Sequence, residues 1–226
     1  IAGLPEKRIQ RMGREDNYWT TGQPGPAGPC SEIYFDRGPA FGPEGGPAVD
    51  DTRYIEIWNL VFMQYELEND QIVGKLPRPS IDTGAGLERL ATVLAGVNNN
   101  YEPELLSPIV ARAKAAVGTN ADSFGPAPYQ VIADHARATA FLIADGVFPD
   151  KTGGSYVLRR IMRRAIRFGH TIGLEDLFMH DMCNEVIDRF AEPYPELVAA
   201  RATVEEVVKT EEAAFRRTLS RGLKLV

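Results

Sequence analysis

Strand-like and helix-like patterns of apolar residues occupy different parts of the chain. Residues 54–66 are dense in β-branched and aromatic side chains, which predicts a long strand. Glu68-Asn69-Asp70 is typical of a hairpin turn, and a second strand is predicted near 71–76. From residue 129 onwards apolar residues recur at helical spacing, as in 156–168, so this part is predicted to be almost entirely helical.

Glycine and proline mark the limits of these elements. Residues 17–54 are rich in both, which predicts loops between short strands. The glycines at 84–86 predict a turn that opens a helix, and Gly96 is expected to end that helix. A Ser-Pro pair at its start predicts a further helix over 107–117.

The predicted elements give a fold class and a division into domains. Between Gly118 and Pro128 the composition shifts to Gly, Asn, Ser and Pro, which indicates a boundary. We therefore expect an α+β fold, in which an antiparallel-sheet domain over 1–117 is followed by a linker over 118–128 and a helical domain over 129–226.

The composition restricts the classes of function. The 226 residues carry a net charge of −6, so contact with nucleic acid requires a local basic patch. The 2 cysteines, Cys30 and Cys183, form no CxxC motif, which argues against a disulfide framework and against a zinc site. The sequence has no signal peptide and no apolar run long enough for a bilayer, so we expect a cytoplasmic protein without a membrane partner.

The two ends of the chain resemble internal positions of a longer protein. The chain begins at Ile1 rather than at an initiator methionine, and the helical spacing of apolar residues continues to Val226. We therefore expect this sequence to be a piece of a larger polypeptide.

The motif Asp82-Thr83-Gly84-Ala85-Gly86-Leu87-Glu88-Arg89 combines the features of a site for an aminoacyl-phosphate. Its glycines allow a sharp turn and the close approach of a ligand, and free N–H groups at the start of a helix suit phosphate. Arg89 can hold two phosphate oxygens, and Asp82 can hold a cationic amine. The same pattern also occurs by chance in an ordinary capped helix, so its surroundings decide between the two interpretations.

The long predicted strand contains one polar residue among apolar neighbours. Side chains alternate along a strand, which predicts one face with Ile57, Asn59 and Val61. Glu56, Trp58 and Leu60 are predicted to share the other face. Asn59 needs a hydrogen-bonding partner, which is either a neighbouring strand or the carboxylate of a ligand beside a small apolar wall formed by Val61.

A basic helix is predicted over 156–168. Its apolar residues form one stripe at helical spacing, and five arginines lie mostly off that stripe: Arg159, Arg160, Arg163, Arg164 and Arg167. Such a face is either solvated and paired with acidic residues or contacts the phosphate backbone of a nucleic acid. The absence of acidic residues from this helix favours phosphate contact.

Together these segments resemble one family, the alanyl-tRNA synthetases, which are class II aminoacyl-tRNA ligases. The segments that carry the resemblance are long, keep their order and are spread over most of the chain: 16–19, 25–33, 56–64, 80–89, 133–137, 156–161 and 163–165. Such a set is far more specific than a single glycine motif.

The resemblance implies a role for each matching residue. Asn59 would hold the carboxylate of alanine, Asp82 would hold its ammonium group, and Val61 would bound the methyl pocket. Arg89, which matches class II motif 3, would bind phosphate and is the expected catalytic residue. ATP would contact a larger set, namely Trp19, the backbone of Ile57 and Trp58, and also Asn59, Gly86 and Arg89.

The implied reaction is the ATP-dependent activation of alanine to alanyl-adenylate, followed by transfer to tRNA. Magnesium would accompany ATP and bridge its phosphates, and no other metal is expected. The helical domain would bind the acceptor stem of alanine tRNA, where the family reads a G·U wobble pair. This chemistry needs alignment and charge stabilisation, which fits the absence of an obvious catalytic histidine or cysteine.

The sequence departs from the family pattern in two places. Class II motifs 1 and 2 do not occur in it, so we expect a fragment that is weak or inactive alone. The loop over 150–155 lacks the Arg-Gly that commonly precedes the Tyr-Val-Leu-Arg-Arg run, which affects acceptor-stem reading. Two other hypotheses stay open: an RNA-binding module without catalysis, and a synthetase paralogue that activates an amino acid for another acceptor.

Overall fold

The computed structural model describes residues 3–223, which form two compact units that divide between Asn100 and Tyr101. The first unit is built on an antiparallel sheet of four strands in chain order: β1 (Tyr18–Thr20), β2 (Gly25–Asp36), β3 (Tyr54–Glu68) and β4 (Gln71–Ala85). One helix, α1 (Leu87–Ala95), follows the sheet. The predicted combination of an antiparallel sheet with helices is confirmed.

The hairpin between β3 and β4 follows from its turn residues. Asn69 and Asp70 both have positive φ, at 50° and 61°, and Asn and Asp tolerate this conformation better than most residues. β4 is longer than predicted, because it stays paired with β3 as far as Trp58 opposite Ala85. The predicted turn over 84–86 is therefore wrong in its extent: Gly84 lies within the strand, and the chain leaves the sheet at Gly86.

β2 is also longer than the predicted short strands. Its 12 residues include two prolines, and its pairing with β3 is interrupted by two register shifts. Gly28 allows a close approach here, since a Cβ atom at this position would lie 1.9 Å from the carbonyl oxygen of Phe62. Any side chain at this position would push β2 away from β3.

The second unit is helical. Its helices are α2 (Ser107–Val117), α3 (Ala127–Ala144), α4 (Gly153–Thr171), α5 (Met179–Phe190) and α6 (Pro195–Leu223). Its core contains fully buried residues from all five helices, among them Ile109, Ile132, Met162, Ile187 and Leu197.

Gly96, with φ of 67°, ends α1 in the first unit as predicted.

The compact units divide the chain earlier than the predicted linker. α2 belongs to the helical unit, because Ile109 and Ala113 are fully buried in the same core as Tyr129 of α3. The segment 118–128 holds a short 3-10 helix and the first residues of α3. The division into functional domains stays a prediction.

Within the described residues, no helix combines the length and the apolar character that crossing a membrane requires.

Candidate active site

The register of β3 and β4 brings together the three residues predicted to hold alanine. Val61 lies directly opposite Asp82, and Asn59 lies opposite Gly84. Side chains that are opposite each other in an antiparallel pair point to the same face of the sheet. Asn59, Val61 and Asp82 therefore share one face, and a Cβ atom added at Gly84 would meet nothing within 4 Å.

These three side chains differ in exposure in a way that suits a small zwitterion. Val61 is buried, whereas Asp82 is exposed. Asn59 is partly buried, and its Oδ1 atom is buried with no hydrogen-bond partner among the described residues. A buried acceptor without a donor is costly, by about 1–3 kcal/mol, so a donor from a ligand would be favourable here.

β2 adds residues that were not predicted for the site. Glu32 lies opposite Asn59, and its Oε1 accepts a hydrogen bond from Asn59 Nδ2 at 3.4 Å. Its other oxygen, Oε2, accepts a hydrogen bond from the Tyr34 hydroxyl. Cys30, opposite Val61, is buried beside them.

A bulge places Glu56 on the face that carries Asn59. Strict alternation along β3 predicted Glu56 to share the opposite face with Trp58, and this prediction is wrong. The register passes from Ile33 opposite Trp58 to Tyr34 opposite Glu56, so Ile57 is an extra residue in β3. Because of this extra residue, Glu56 on one side of the bulge and Asn59 on the other point to the same face of the sheet.

Electrostatic effects agree with this placement. Burial raises the pKa of the Cys30 thiol, and the carboxylates of Glu32 and Glu56 raise it further. Burial is also the main reason that the pKa of the Tyr34 hydroxyl is raised. Its hydrogen bond to Glu32 and the nearby negative charges raise this pKa further. At neutral pH Tyr34 is therefore a hydrogen-bond donor, and Cys30 is not a thiolate nucleophile.

Arg89 projects from α1 towards Glu56. Its Nη1 atom donates to the backbone oxygen of Glu56 at 2.8 Å and to the carboxylate oxygen Oε2 at 3.3 Å. The start of α1 is held on β3, because the N–H of Gly86 donates to the carbonyl oxygen of Ile57 at 3.3 Å. The side chain of Arg89 is still 45% exposed, so its remaining donors can reach a ligand.

An open cleft of about 360 Å³ lies beside Arg89. It is lined by Tyr34, Asp51, Tyr54, Ile55, Glu56, Arg89 and Asn100. Glu56 and Tyr34 therefore border both this cleft and the residues around Asn59.

Two tryptophans belong to the predicted ATP-binding set, Trp58 through its backbone and Trp19. The Trp58 side chain lies on the face opposite Asn59, is 41% exposed and donates from Nε1 to the Thr83 hydroxyl. Trp19 lies on β1 opposite Gly28, and β2 separates it from β3 in the order of the sheet. The residues that sequence analysis missed, Glu32 and Tyr34, alternate as strand residues do, but the glycines and prolines around them favoured a loop.

The arginines of α4, in the second unit, fall into two groups. Arg159 and Arg163 each donate from Nε to the same carboxylate oxygen of Glu211 in α6, at 3.0 Å and 2.7 Å. The other group, Arg160, Arg164 and Arg167, is exposed at spacings of four and three residues and so forms one row along the helix. In the part of the chain that the structure describes, this row forms no ion pair, and the guanidinium of Arg160 lies 5.9 Å from the ring centroid of Tyr156.

Comparison with known protein families matches the whole sequence, residues 1–226, to the class II tRNA synthetases (A). The chain belongs to this family. Among curated proteins, this class II synthetase chain is similar to the alanine–tRNA ligase of Chelativorans sp. (strain BNC1), with 51% identity over 228 residues. It is 48% identical to that of Cereibacter sphaeroides (strain ATCC 17029 / ATH 2.4.9) and 47% identical to that of Acidithiobacillus ferridurans.

These relatives are longer than the synthetase chain described here. The matches cover 100%, 100% and 99% of this chain but only 26% of each of the three relatives. The chain thus spans about a quarter of the length of the curated relatives it matches. The predicted resemblance to alanyl-tRNA synthetases is confirmed over the full chain.

Proposed function

We propose that this chain carries the alanine-binding part of an alanine–tRNA ligase, which activates alanine with ATP and transfers it to tRNA. The observation that carries the proposal is the shared face of Asn59, Val61 and Asp82, where the Oδ1 of Asn59 lacks a donor. An apolar wall, a carboxylate and an amide on one face match the methyl, ammonium and carboxylate groups of alanine. The similarity to alanine–tRNA ligases over the whole chain supports the same substrate.

Each group of alanine has a partner in this arrangement. Asp82 pairs with the ammonium group, and Val61 bounds the space for the methyl group. Asn59 has one N–H beyond the one that Glu32 accepts, and this N–H donates to the alanine carboxylate. The unpartnered Oδ1 of Asn59 accepts in addition from the ammonium group.

ATP binding falls to the cleft beside α1. The exposed guanidinium of Arg89 binds phosphate oxygens, and Gly86 and the backbone of Ile57 and Trp58 contact the nucleotide. We assign Trp19 to the same ATP site because it matches the family pattern. Magnesium bound to ATP would supply positive charge that offsets the charge of the phosphates.

The reaction needs alignment rather than proton transfer. The alanine carboxylate attacks the α-phosphate of ATP, the α–β phosphoanhydride bond breaks, and pyrophosphate leaves with that electron pair. Asp82 and Asn59 orient the nucleophile, and Arg89 stabilises negative charge on phosphate. The raised pKa of Cys30 and of Tyr34 agrees with a mechanism in which neither group ionises.

The helical unit provides the contact with tRNA. The exposed row of Arg160, Arg164 and Arg167 supports binding to the phosphate backbone of the acceptor stem. Arg159 and Arg163, which we predicted for the same role, are engaged with Glu211 and contribute less. We assign 1–117 to the C-terminal part of the catalytic domain and 129–226 to tRNA recognition, in a cytoplasmic enzyme.

Calorimetry with a non-hydrolysable alanyl-adenylate analogue tests the alanine site. We expect the chain to bind this analogue and to reject the leucyl analogue by steric clash. Asp82→Asn should weaken binding by roughly 10- to 100-fold, the range for a hydrogen bond to a charged group. Asp70→Asn, which removes the same charge from the exposed hairpin turn, is the matched control and should bind like the unchanged chain.

A second candidate function is RNA binding without catalysis, which the exposed row of arginines favours. It predicts that tRNA binding survives Asp82→Asn and that neither analogue produces heat. A paralogue with another acceptor would instead bind the alanyl analogue. Replacing the three arginines of the row would then leave its function unchanged.

A further inference from the structure

We propose that Glu32 is a positioning residue, which holds the side-chain amide of Asn59 in the orientation that leaves its carbonyl oxygen for the ligand. This inference rests on the proposed function and assigns a role to a residue that does not itself bind alanine. It starts from the contact across β2 and β3, where Glu32 and Asn59 are opposite each other and hydrogen-bonded at 3.4 Å.

An asparagine amide has two orientations of nearly the same shape. They exchange the carbonyl oxygen, which accepts hydrogen bonds, with the NH₂ group, which donates them. The carboxylate of Glu32 can only accept when ionised, so it selects the orientation with Nδ2 towards Glu32. In the reversed orientation Oδ1 of Asn59 would meet Oε1 of Glu32, and two acceptors would repel each other.

Tyr34 in turn holds Glu32. Its hydroxyl donates to Oε2, so both carboxylate oxygens of Glu32 are engaged, one by Tyr34 and one by Asn59. The two residues that position the amide therefore come from the same strand, β2, two residues apart. Because its pKa is raised, the Tyr34 hydroxyl stays protonated at neutral pH and keeps donating to Glu32.

The selected orientation has a chemical consequence for the ligand. Oδ1 of Asn59 is left as a buried acceptor with no donor among the described residues. It matches a donor such as the α-ammonium group of an amino acid, and a reversed amide would present two N–H groups to that cation instead. Glu32 thus acts on substrate affinity through Asn59.

Two measurements on the full 226-residue chain test this role. Calorimetry with the alanyl-adenylate analogue compares the unchanged chain with Glu32→Ala, Glu32→Gln, Tyr34→Phe and Asn59→Ala. NMR compares the side-chain NH₂ signals of Asn59, identified by their loss in Asn59→Ala, between the unchanged chain and the other variants. Glu68→Gln, at the exposed end of β3, is the matched control for charge.

Glu32→Ala should weaken analogue binding by roughly 10- to 100-fold, the range for losing a hydrogen bond to a charged group. Glu32→Gln should restore most of the affinity, because its Oε1 accepts from Asn59 and its NH₂ donates to the Tyr34 hydroxyl. Tyr34→Phe should give a smaller loss. The NH₂ signals of Asn59 should move in Glu32→Ala, which removes their acceptor, and much less in Glu32→Gln.

Analogue binding that is lost in Asn59→Ala but unchanged in Glu32→Ala would overturn the role of Glu32 and leave the proposed function intact. If the unchanged chain does not distinguish the alanyl from the leucyl analogue, the proposed function fails, and the NMR comparison of the variants decides alone whether Glu32 orients Asn59. If Glu32→Ala does not fold, Tyr34→Phe decides, since it retains the shape of β2: binding and Asn59 signals that both equal those of the unchanged chain would overturn the role. Asn59 signals that are unchanged in a folded Glu32→Ala variant would also overturn the role.

Discussion

Val61 of β3 and Asp82 of β4 lie directly opposite each other in the sheet, with one buried and the other exposed. Opposite residues in an antiparallel pair have Cβ atoms about 4.5–5.5 Å apart. An apolar wall and a carboxylate are therefore adjacent on the same face. This spacing suits an amino acid whose ammonium group and side chain are both bonded to one carbon atom.

The size of the side chain at Val61 is expected to set the limit for the substrate. Val61→Ala should improve binding of the 2-aminobutyryl-adenylate analogue relative to the alanyl analogue, because the removed methyl groups make room for one methylene. One methylene is worth about 1–3 kcal/mol in such a pocket, so the preference should change by roughly 10- to 200-fold. Calorimetry with both analogues measures the change.

Val61→Ala should also lower the free energy of unfolding by about 1–3 kcal/mol, because it leaves a cavity in a buried site. Val73→Ala, at a position of β4 that is 55% exposed, is the control and should change neither stability nor preference. An unchanged preference in a folded Val61→Ala variant would contradict the assignment of the methyl pocket.

Arg89 is expected to bind ATP through the donors that Glu56 leaves free. Arg89→Gln should weaken ATP binding by roughly 10- to 100-fold, the range for hydrogen bonds between charged groups. Arg78→Gln, an exposed arginine of β4, removes the same charge elsewhere and should bind ATP like the unchanged chain. Equal ATP affinity in both variants, measured by calorimetry in the presence of magnesium, would exclude Arg89 from the phosphate site.

The exposed row of α4 is expected to provide most of the electrostatic attraction to tRNA. Replacing Arg160, Arg164 and Arg167 with glutamine should weaken tRNA binding and lower the slope of log K against log salt by about 1 for each phosphate that is no longer neutralised. Arg159→Gln should have a smaller effect on that slope, because Glu211 already engages this guanidinium. Filter binding across a salt series measures both.

Arg189→Gln is the control for the arginine row, since Arg189 is an exposed arginine of α5 that pairs with Glu185. A salt slope that falls equally in this control and in the triple variant would show a general effect of net charge rather than a binding row.

The pair of Asp36 and Arg53 is expected to stabilise the chain only above acidic pH. Arg53 donates from Nε and Nη2 to the two carboxylate oxygens at 2.7 Å and 3.0 Å. This bonding, with help from the backbone N–H of Gly38, lowers the pKa of Asp36 to about 2. An unfolded aspartate has a pKa of about 4. The ion pair therefore contributes its full stabilisation above about pH 4, and this stabilisation is lost as the pH falls towards 2.

Asp36→Asn should therefore reduce the free energy of unfolding at neutral pH, and the difference from the unchanged chain should close as the pH falls from about 4 to about 2. Urea denaturation at a series of pH values measures this difference. Asp70→Asn, in the exposed hairpin turn, should show no such convergence. A constant difference across the whole pH range would show that the ion pair is not its cause.

Local features of the sequence determined much of the first unit. The strand over 54–66, the turn at Asn69 and Asp70, and the end of α1 at Gly96 depend on neighbouring residues, and all three are present. The common face of Asn59 and Val61 follows from alternation, which is also a local property. In the second unit, the arginine-rich helix α4 likewise follows from the helical spacing of its apolar residues.

Tertiary structure decided which side chains meet across distant segments. The extra residue at Ile57 turns Glu56 towards the site, and the register of β2 places Glu32 against Asn59. Glu211, far along the chain, neutralises Arg159 and Arg163 and so separates them from the exposed row. Strand register and helix packing depend on contacts between residues far apart in sequence, so no local pattern contained this information.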